Sequence, residues 1–245
     1  MPELEILYRD EHIVAVNKPV GMLVHRTKLA TRVREIAMRV LRKQLKKVVY
    51  PIHRLDRPTS GVLLFSLTQE AARAACELFE QHAVEKEYLA IVRGYVDDVG
   101  STDMPLLEHQ DRITDVLAEK DKPAQEALTH YRTLARVEYP RPVGRYQTAR
   151  YSLVELTPKT GRRHQIRRHL KHLNHPVIGD RKHGDRDHNE FFREHLQLDR
   201  MMLVARRLGM SHPITGEPLQ FVAPLGEQFG QALDVLGLEF DHTND

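Results

Sequence analysis

Cysteine occurs once in 245 residues, as Cys76, and tryptophan does not occur at all. A lone thiol cannot close an internal disulfide, so stability must come from the core, and a reducing compartment suits such a chain. Cys76 lies in an alanine-rich stretch of helical character, where a small buried thiol is expected. No apolar run reaches the roughly 20 residues that a membrane helix needs. Neither a signal peptide nor a lipidation pattern is present. The expectation is a soluble cytoplasmic protein with no membrane association. No Pro- or Ser-rich linker breaks the chain and no internal repeat is visible, so residues 1–245 are read as one domain. No phosphate-loop signature occurs, and no nucleotide or other cofactor is implied. His164, His169, His172, His175 and His183 cluster in sequence, but they lack the HExxH arrangement and have no cysteine pair beside them. A metal is therefore not expected. Helix-face or nucleic-acid-facing histidines account for the cluster.

With 41% hydrophobic residues, the chain can bury a sizeable core. Its formal charge of +3 and pI near 8.9 are only mildly basic and do not establish a partner. The distribution says more. Arg26, Lys28, Arg32, Arg34, Arg39, Arg42, Lys43, Lys46 and Lys47 gather near the amino end, and Arg162, Arg163, Arg167, Arg168, Lys171, Arg181 and Lys182 later, whereas residues 97 to 126 are rich in Asp and Glu. A basic face and an acidic face are expected.

Residues 4–8 and 12–17 read as strands around the turn Arg9-Asp10-Glu11. Residues 29–48 place Val33, Ile36, Ala37, Val40, Leu41, Leu45 and Val48 at helical spacing, leaving a cationic outer face. If that face meets phosphates, Lys43, Lys46 and Lys47 are candidate contacts. Gly61–Leu67 is a strongly apolar strand, Thr68 an N-cap, and Gln69–His82 a helix. Residues 88–92 alternate as a strand. Residues 97–122 lack a clear period and are expected to be irregular, with a short strand near Leu106. Strands follow at 127–137 and 150–156, a helix at 162–173, strands at 202–208 and 219–223, and a final helix at 225–236. Strands adjacent in sequence with helices inserted between them predict an α+β fold, with a mixed, largely antiparallel central sheet and flanking helices.

The stretch His53-Arg54-Leu55-Asp56-Arg57-Pro58-Thr59-Ser60-Gly61 sets one carboxylate between two guanidinium groups at a loop-to-strand junction. Pro58 restricts its own backbone and that of Arg57, Thr59 and Ser60 favour turns, and Gly61 permits an unusual dihedral, so the loop is held. Flanking cations favour the carboxylate form, which can attack carbon. A structural ion pair of Asp56 with Arg54 or Arg57 is the competing reading. By itself, Tyr88 in a strand is a core residue, and Arg167 is one cation in a run of arginines.

The string HRLDRPTSG resembles the catalytic loop of the pseudouridine synthases of the RluA type. Two further blocks follow in the same order: Glu85-Lys86-Glu87-Tyr88-Leu89-Ala90-Ile91-Val92-Arg93-Gly94, and Thr160-Gly161-Arg162-Arg163-His164-Gln165-Ile166-Arg167-Arg168-His169. Asn17-Lys18-Pro19-Val20-Gly21 resembles the family's first turn. The likeness spans about residues 4 to 224. The resemblance implies the catalytic fold without an S4 RNA-binding domain, and isomerisation of uridine to pseudouridine in structured RNA by an aspartate nucleophile and base flipping. It assigns Asp56 as nucleophile, attacking C6 or C1′, Tyr88 as a base-stacking residue assisting proton removal, and Arg167 as the partner of Asp56. Arg54 would enter the RNA when the uridine is extruded. Arg57, Thr59 and Arg162 would contact substrate, and Ile166 and Leu203 would wall the pocket. Within the family, Arg150 to Gly161, His175 to Asp185, Gly144-Arg145-Tyr146 and Met202 to Ala205 are most similar to members acting on uridine 65 of tRNA. The implied partner is RNA, specifically tRNA, bound by a monomer. An rRNA target, a catalytically silent RNA-binding protein and a histidine-based metal hydrolase are the alternatives.

Overall fold

The computed structural model describes residues 3–25, 36–107 and 123–239. Ten strands form one sheet: β1 Glu5–Arg9, β2 Ile13–Lys18, β3 Tyr50–Pro51, β4 Ser60–Ser66, β5 Glu85–Arg93, β6 Val99–Asp103, β7 Leu128–Tyr139, β8 Ala149–Pro158, β9 Leu203–Ser211 and β10 Pro218–Val222. The main path runs β1-β2-β4-β9-β5-β8-β7-β6, with β10 on β9 and β3 on β4. Every pairing is antiparallel except β4 with β9. Five helices flank it: α1 Ala37–Leu45, α2 Gln69–Glu80, α3 Gln165–His172, α4 Arg186–His195 and α5 Glu227–Leu236. The α+β, largely antiparallel architecture is as expected.

Both faces of the sheet are covered, which is why its central strands read as continuous apolar runs. Alternation sorts the side chains. Val14, Val16, Leu63 and Phe65 pack with Val40 and Leu41 of α1, whereas Ile13, Ala15, Val62 and Leu64 pack with Ala71 and Ala75 of α2. On β5, Leu89 and Ile91 face Phe192 of α4 and Phe229 of α5, and Ala90 and Val92 face Ile166 and Leu170 of α3. The period of two thus turns Tyr88 toward α3.

The parallel contact is short, Ser60 opposite Val204 and Gly61 opposite Ala205, and it joins the two halves of the sheet. Gly61 has φ +113, and a Cβ there would stand 2.1 Å from the Ala205 carbonyl oxygen. Only glycine allows both the dihedral and the approach.

Several expectations are corrected. The amino-terminal helix starts, among described residues, at Ala37; Arg26, Lys28, Arg32, Val33 and Arg34 lie outside them. Lys46 adopts the left-handed conformation and ends the helix, so Val48 leaves the apolar stripe and is 56% exposed. Cys76 is half-buried, with Sγ 3.9 Å from the Ile52 carbonyl. The region read as irregular contains β6, whose Val-Gly-Ser-Thr-Asp has little strand propensity and is held by pairing with β7; Leu106 makes only an isolated bridge to Gln125, and residues 108–122 lie outside the description. The carboxyl-terminal part of the 162–173 helix forms, but it begins at Gln165. Helix α4 has no counterpart in the sequence-based expectation. Asp185 caps it through the Asp187 and His188 amides, but its polar sequence turns only Phe191, Phe192 and His188 inward.

Gly61→Ala tests the seam. Dihedral strain alone costs about 1–3 kcal/mol, and the collision adds to it, so urea denaturation will show a midpoint well below that of the unaltered protein.

Candidate active site

The loop before β4 is fastened to the turn after β2. Arg57 Nε donates to the Gly21 carbonyl at 2.9 Å, and the Gly21 amide donates to the Arg57 carbonyl at 2.9 Å. Lys18, fully buried, donates from Nζ to the Pro19 and Met22 carbonyls at 2.9 Å and to Arg57 O at 3.3 Å. Burial brings the Lys18 ammonium down to a pKa of about 7; the charge of Asp56 opposes the fall, and Arg200 and Arg57 add to it. Inside the loop the Thr59 amide donates to Asp56 O at 3.1 Å, and Leu55 is buried in the α1 cluster. At its start, His53 Nε2 accepts the Leu64 amide at 3.0 Å and the ring stacks on Phe79 at 5.0 Å. That bond needs a neutral imidazole, and burial, helped by Lys86, lowers the His53 pKa to about 4.

Neither flanking arginine pairs with Asp56. Arg57 is turned to Gly21, and Arg54 is exposed on the rim. The partner comes from 111 residues away: Arg167 Nη1 donates to Asp56 Oδ2 at 2.9 Å. The other edge of the same guanidinium is held by Asp180, Nε to Oδ2 at 2.7 Å and Nη2 to Oδ1 at 2.8 Å. Arg167 is 5% exposed and Asp180 2%. Burial pushes the Asp180 carboxyl up, but Arg167 and the His183 and Lys182 amides outweigh it and leave it below the ordinary value. Asp56 Oδ1 accepts no hydrogen bond among the described residues.

The turn leading into α3 is built on Gln165, which is 4% exposed. Its Oε1 accepts from Thr160 Oγ1 at 2.7 Å and from the Arg162 amide at 2.9 Å, and its Nε2 donates to Leu128 O and Thr129 Oγ1 at 3.0 Å. So tied to β7, the turn closes through His164 in the left-handed region, φ 56. The His164 ring stands with Nε2 3.8 Å from Asp56 Oδ2 and Nδ1 2.9 Å from His183 Nε2. Burial depresses its pKa to about 4 against the pull of Asp56, with Arg167, His183 and Arg163 also lowering it. It is therefore neutral at pH 7, and its approach to Asp56 is not an ion pair.

These groups line a cavity of about 530 Å³, within the range of small-molecule sites. Asp56, Thr59, Tyr88, Arg167, Ile166 and Leu203 line it, with Arg54, Lys86, Arg162, Arg163 and Arg168 among its cationic side chains. The Tyr88 hydroxyl is pushed well above the ordinary tyrosine value, by burial first and by Asp56 second. Lys43, Lys46 and Lys47 lie at the end of α1, all three exposed, and, like Arg57, do not line the cavity. Sequence reasoning missed Asp180, which stands in Gly179-Asp180 with no local signature, and the packing of His164 on His183. Of the remaining clustered histidines, His169 bonds Thr129 Oγ1 and Met104 O, and His175 bonds Arg93 O. Among the described residues, no three His, Cys, Asp or Glu side chains are placed to hold a metal, and no helix is long and apolar enough to cross a membrane.

A family model described as RNA pseudouridylate synthase matches residues 12–172. The chain is 52% identical over 220 residues to tRNA pseudouridine synthase C of Pectobacterium carotovorum subsp. carotovorum, covering 90% of this chain and 58% of that one. It is 50% identical to tRNA pseudouridine synthase C of Vibrio cholerae over 96% of each. The solved structure of Human RNA Pseudouridylate Synthase Domain Containing 4 superposes with TM-score 0.71 at 29% identity, covering 97% of this chain and 95% of that one.

The buried and exposed ion pairs should differ in weight. Asp180→Asn leaves the Arg167 cation short of a counter-charge in the interior and lowers the unfolding free energy by about 3–5 kcal/mol. Asp199→Asn breaks the exposed pair with Arg181 and costs under about 1 kcal/mol. Denaturant titration of the two variants reads the difference.

Proposed function

The chain belongs to the RNA pseudouridylate synthase family, and on that premise we propose that it isomerises uridine to pseudouridine in tRNA, with uridine 65 as its target, and that Asp56 is the nucleophile. The observation that carries this reading is the Asp56 carboxylate held on one oxygen by Arg167 and left open on the other, at the wall of a cavity of nucleoside size.

The uridine must leave its stack before a carboxylate can reach C6 or C1′, so binding flips the nucleotide. Arg54, exposed and at the mouth of the cavity, enters the space the base vacates. Arg162, with Arg163, Arg168 and Lys86, meets phosphates. Arg57 and Thr59 act by holding the loop against which the substrate lies. Ile166 and Leu203 wall the base, and Tyr88 stacks on it. Positioned in this way, Asp56 Oδ1 attacks carbon. The Arg167 bond to Oδ2 spreads the charge that returns to the carboxylate when the bond to Asp56 breaks. Tyr88 carries its proton at rest, so it assists proton removal by hydrogen-bonding a uracil carbonyl and making the ring hydrogen more acidic, rather than as a phenolate. The rearrangement neither adds nor removes electrons, so this chemistry requires no redox cofactor. The protein acts as a single catalytic domain and a monomer in the cytoplasm.

Asp56→Asn will form no pseudouridine while still retaining tRNA in a gel-shift assay; a variant that goes on making pseudouridine would refute the nucleophile, and full biological function without it would identify a binding protein. Pseudouridine mapping in total RNA from cells with and without the gene should lose a signal at one tRNA position; loss from ribosomal RNA instead would move the target. Removing two of Lys43, Lys46 and Lys47 should flatten the dependence of log K on log salt by roughly 0.9 for each phosphate no longer neutralised. An unchanged slope would take the α1 face out of the RNA footprint.

A further inference from the structure

Isomerisation through carbon leaves a hydrogen to be removed, and the cavity has few groups able to take it. Asp56 is the nucleophile, and once its bond to carbon breaks its returned charge is stabilised by Arg167, which makes it a poor base. Tyr88 is a phenol whose hydroxyl is held protonated by burial. His53 spends Nε2 on the Leu64 amide, and Lys86, whose pKa is lowered by burial and by Lys159, is assigned above to phosphate. His164 is different. Its ring lines the cavity, its side chain is 14% exposed, and its Nε2 makes no hydrogen bond among the described residues. Its Nδ1 lies 2.9 Å from His183 Nε2, with the rings edge to face at 79°. One of these two nitrogens must carry the shared proton. The 3.8 Å gap to Asp56 Oδ2 is too long for a hydrogen bond, and that oxygen already accepts from Arg167. Nothing at Asp56 therefore calls for a hydrogen on Nε2, and His164 can donate from Nδ1 to His183 with a bare lone pair at Nε2.

His183 is 8% exposed, and its amide is bonded to Asp180 Oδ1, the carboxylate that clamps Arg167. One short loop thus braces both neighbours of Asp56. The backbone of His164 is held at φ 56 by the Gln165 tie to β7, an uncommon conformation for a non-glycine residue.

We propose that His164 is the catalytic residue that accepts the C5 proton of the target base, and that His183 is a positioning residue that keeps the proton of His164 on Nδ1. This deepens the synthase reading above and rests on it. Once the detached base has rejoined the ribose through C5, that carbon bears both the ribose and its original hydrogen. The C5–H bond breaks and its electron pair forms the C5–C6 double bond. The C6–N1 π pair moves onto N1, which takes a proton from water. The C5 proton goes to His164 Nε2, and the imidazolium returns it to water. The step leaves no net charge and changes no oxidation state. Resonance regained by the ring drives the transfer to a weak base. Asp56, whose charge favours imidazolium, and Arg167, Arg163 and His183, which oppose it, are the groups facing the acceptor.

The test uses the whole protein and a tRNA transcript carrying protium or deuterium at uridine C5, under single-turnover conditions. Asn tolerates the left-handed backbone and offers no basic nitrogen. His164→Asn should melt and bind tRNA as the unaltered protein does, turn over roughly 10²- to 10⁴-fold more slowly, and develop a C5 deuterium isotope effect that the unaltered protein lacks. His164→Ala should be accelerated by added imidazole, and His183→Gln should show a smaller loss of kcat with unchanged KM. A His164→Asn protein with the original rate, a slowed one without the isotope effect, or a folded His164→Ala indifferent to imidazole overturns the assignment. So does a C5 isotope effect that appears in Tyr88→Phe and not in His164→Asn. An Asp56→Asn protein that still makes pseudouridine would instead refute the underlying reading.

Discussion

One guanidinium shared by two carboxylates is the interaction on which the molecule turns. Arg167 is almost wholly buried and gives one edge to Asp180 and one nitrogen to Asp56. A cation in that place is costly unless its donors are taken up, and the two carboxylates do so with different duties. Asp180 is buried as deeply, is bonded in addition by two backbone amides, and fixes the plane of the fork. Among the described residues, Asp56 receives a single side-chain bond, and its other oxygen accepts none. The planar, bidentate geometry of arginine is what permits this division; a lysine would offer a point charge and no second edge.

The elements that bring the trio together are set by simple periodicities. Tyr88 faces α3 because Ala90 and Val92 do, and α3 lies there because Ile166 and Leu170 need the cover of β5 and β8. Asp56 precedes β4, whose first residues pair with β9 at the centre of the sheet. Lys18 and Gly21 then fasten the loop from the side of β2. The basic side chains stay at the rim, while the interior titratable groups, His53, His164 and Lys18, are drawn toward their uncharged forms by burial.

Much of this was legible in the chain. The turn Arg9-Asp10-Glu11 marked β1 and β2, a continuous apolar run marked β4, alternation marked β5, Thr68 announced α2, and the three motif blocks singled out Asp56, Tyr88 and Arg167, which line one cavity. The misses have physical causes. The competing reading, a local ion pair of Asp56 with Arg54 or Arg57, fails because the turn from Asp56 to Thr59 directs Arg57 to Gly21, and the bond is made instead across 111 residues with Arg167, the partner that the resemblance implied. Asp180 is an isolated carboxylate in a loop, and nothing local distinguishes it from a solvated one. Lys18 was placed only in the turn after β2, and its role there comes from the three carbonyls gathered around its ammonium. β6 forms because β7 offers it an edge, and α4 is too polar to display a period. Such features belong to tertiary contacts and leave no mark on a short window of sequence.

The seam between β4 and β9 separates the sheet into one part drawn from residues 5–66 and another drawn mainly from residues 85–211. The carboxylate comes from the first and its guanidinium from the second. Each part makes its strand pairings within itself, the second by bringing Glu85 opposite Gly209, but neither alone holds both members of the ion pair. Docking of the two parts across the seam is therefore what brings Asp56 and Arg167 to the wall of one cavity.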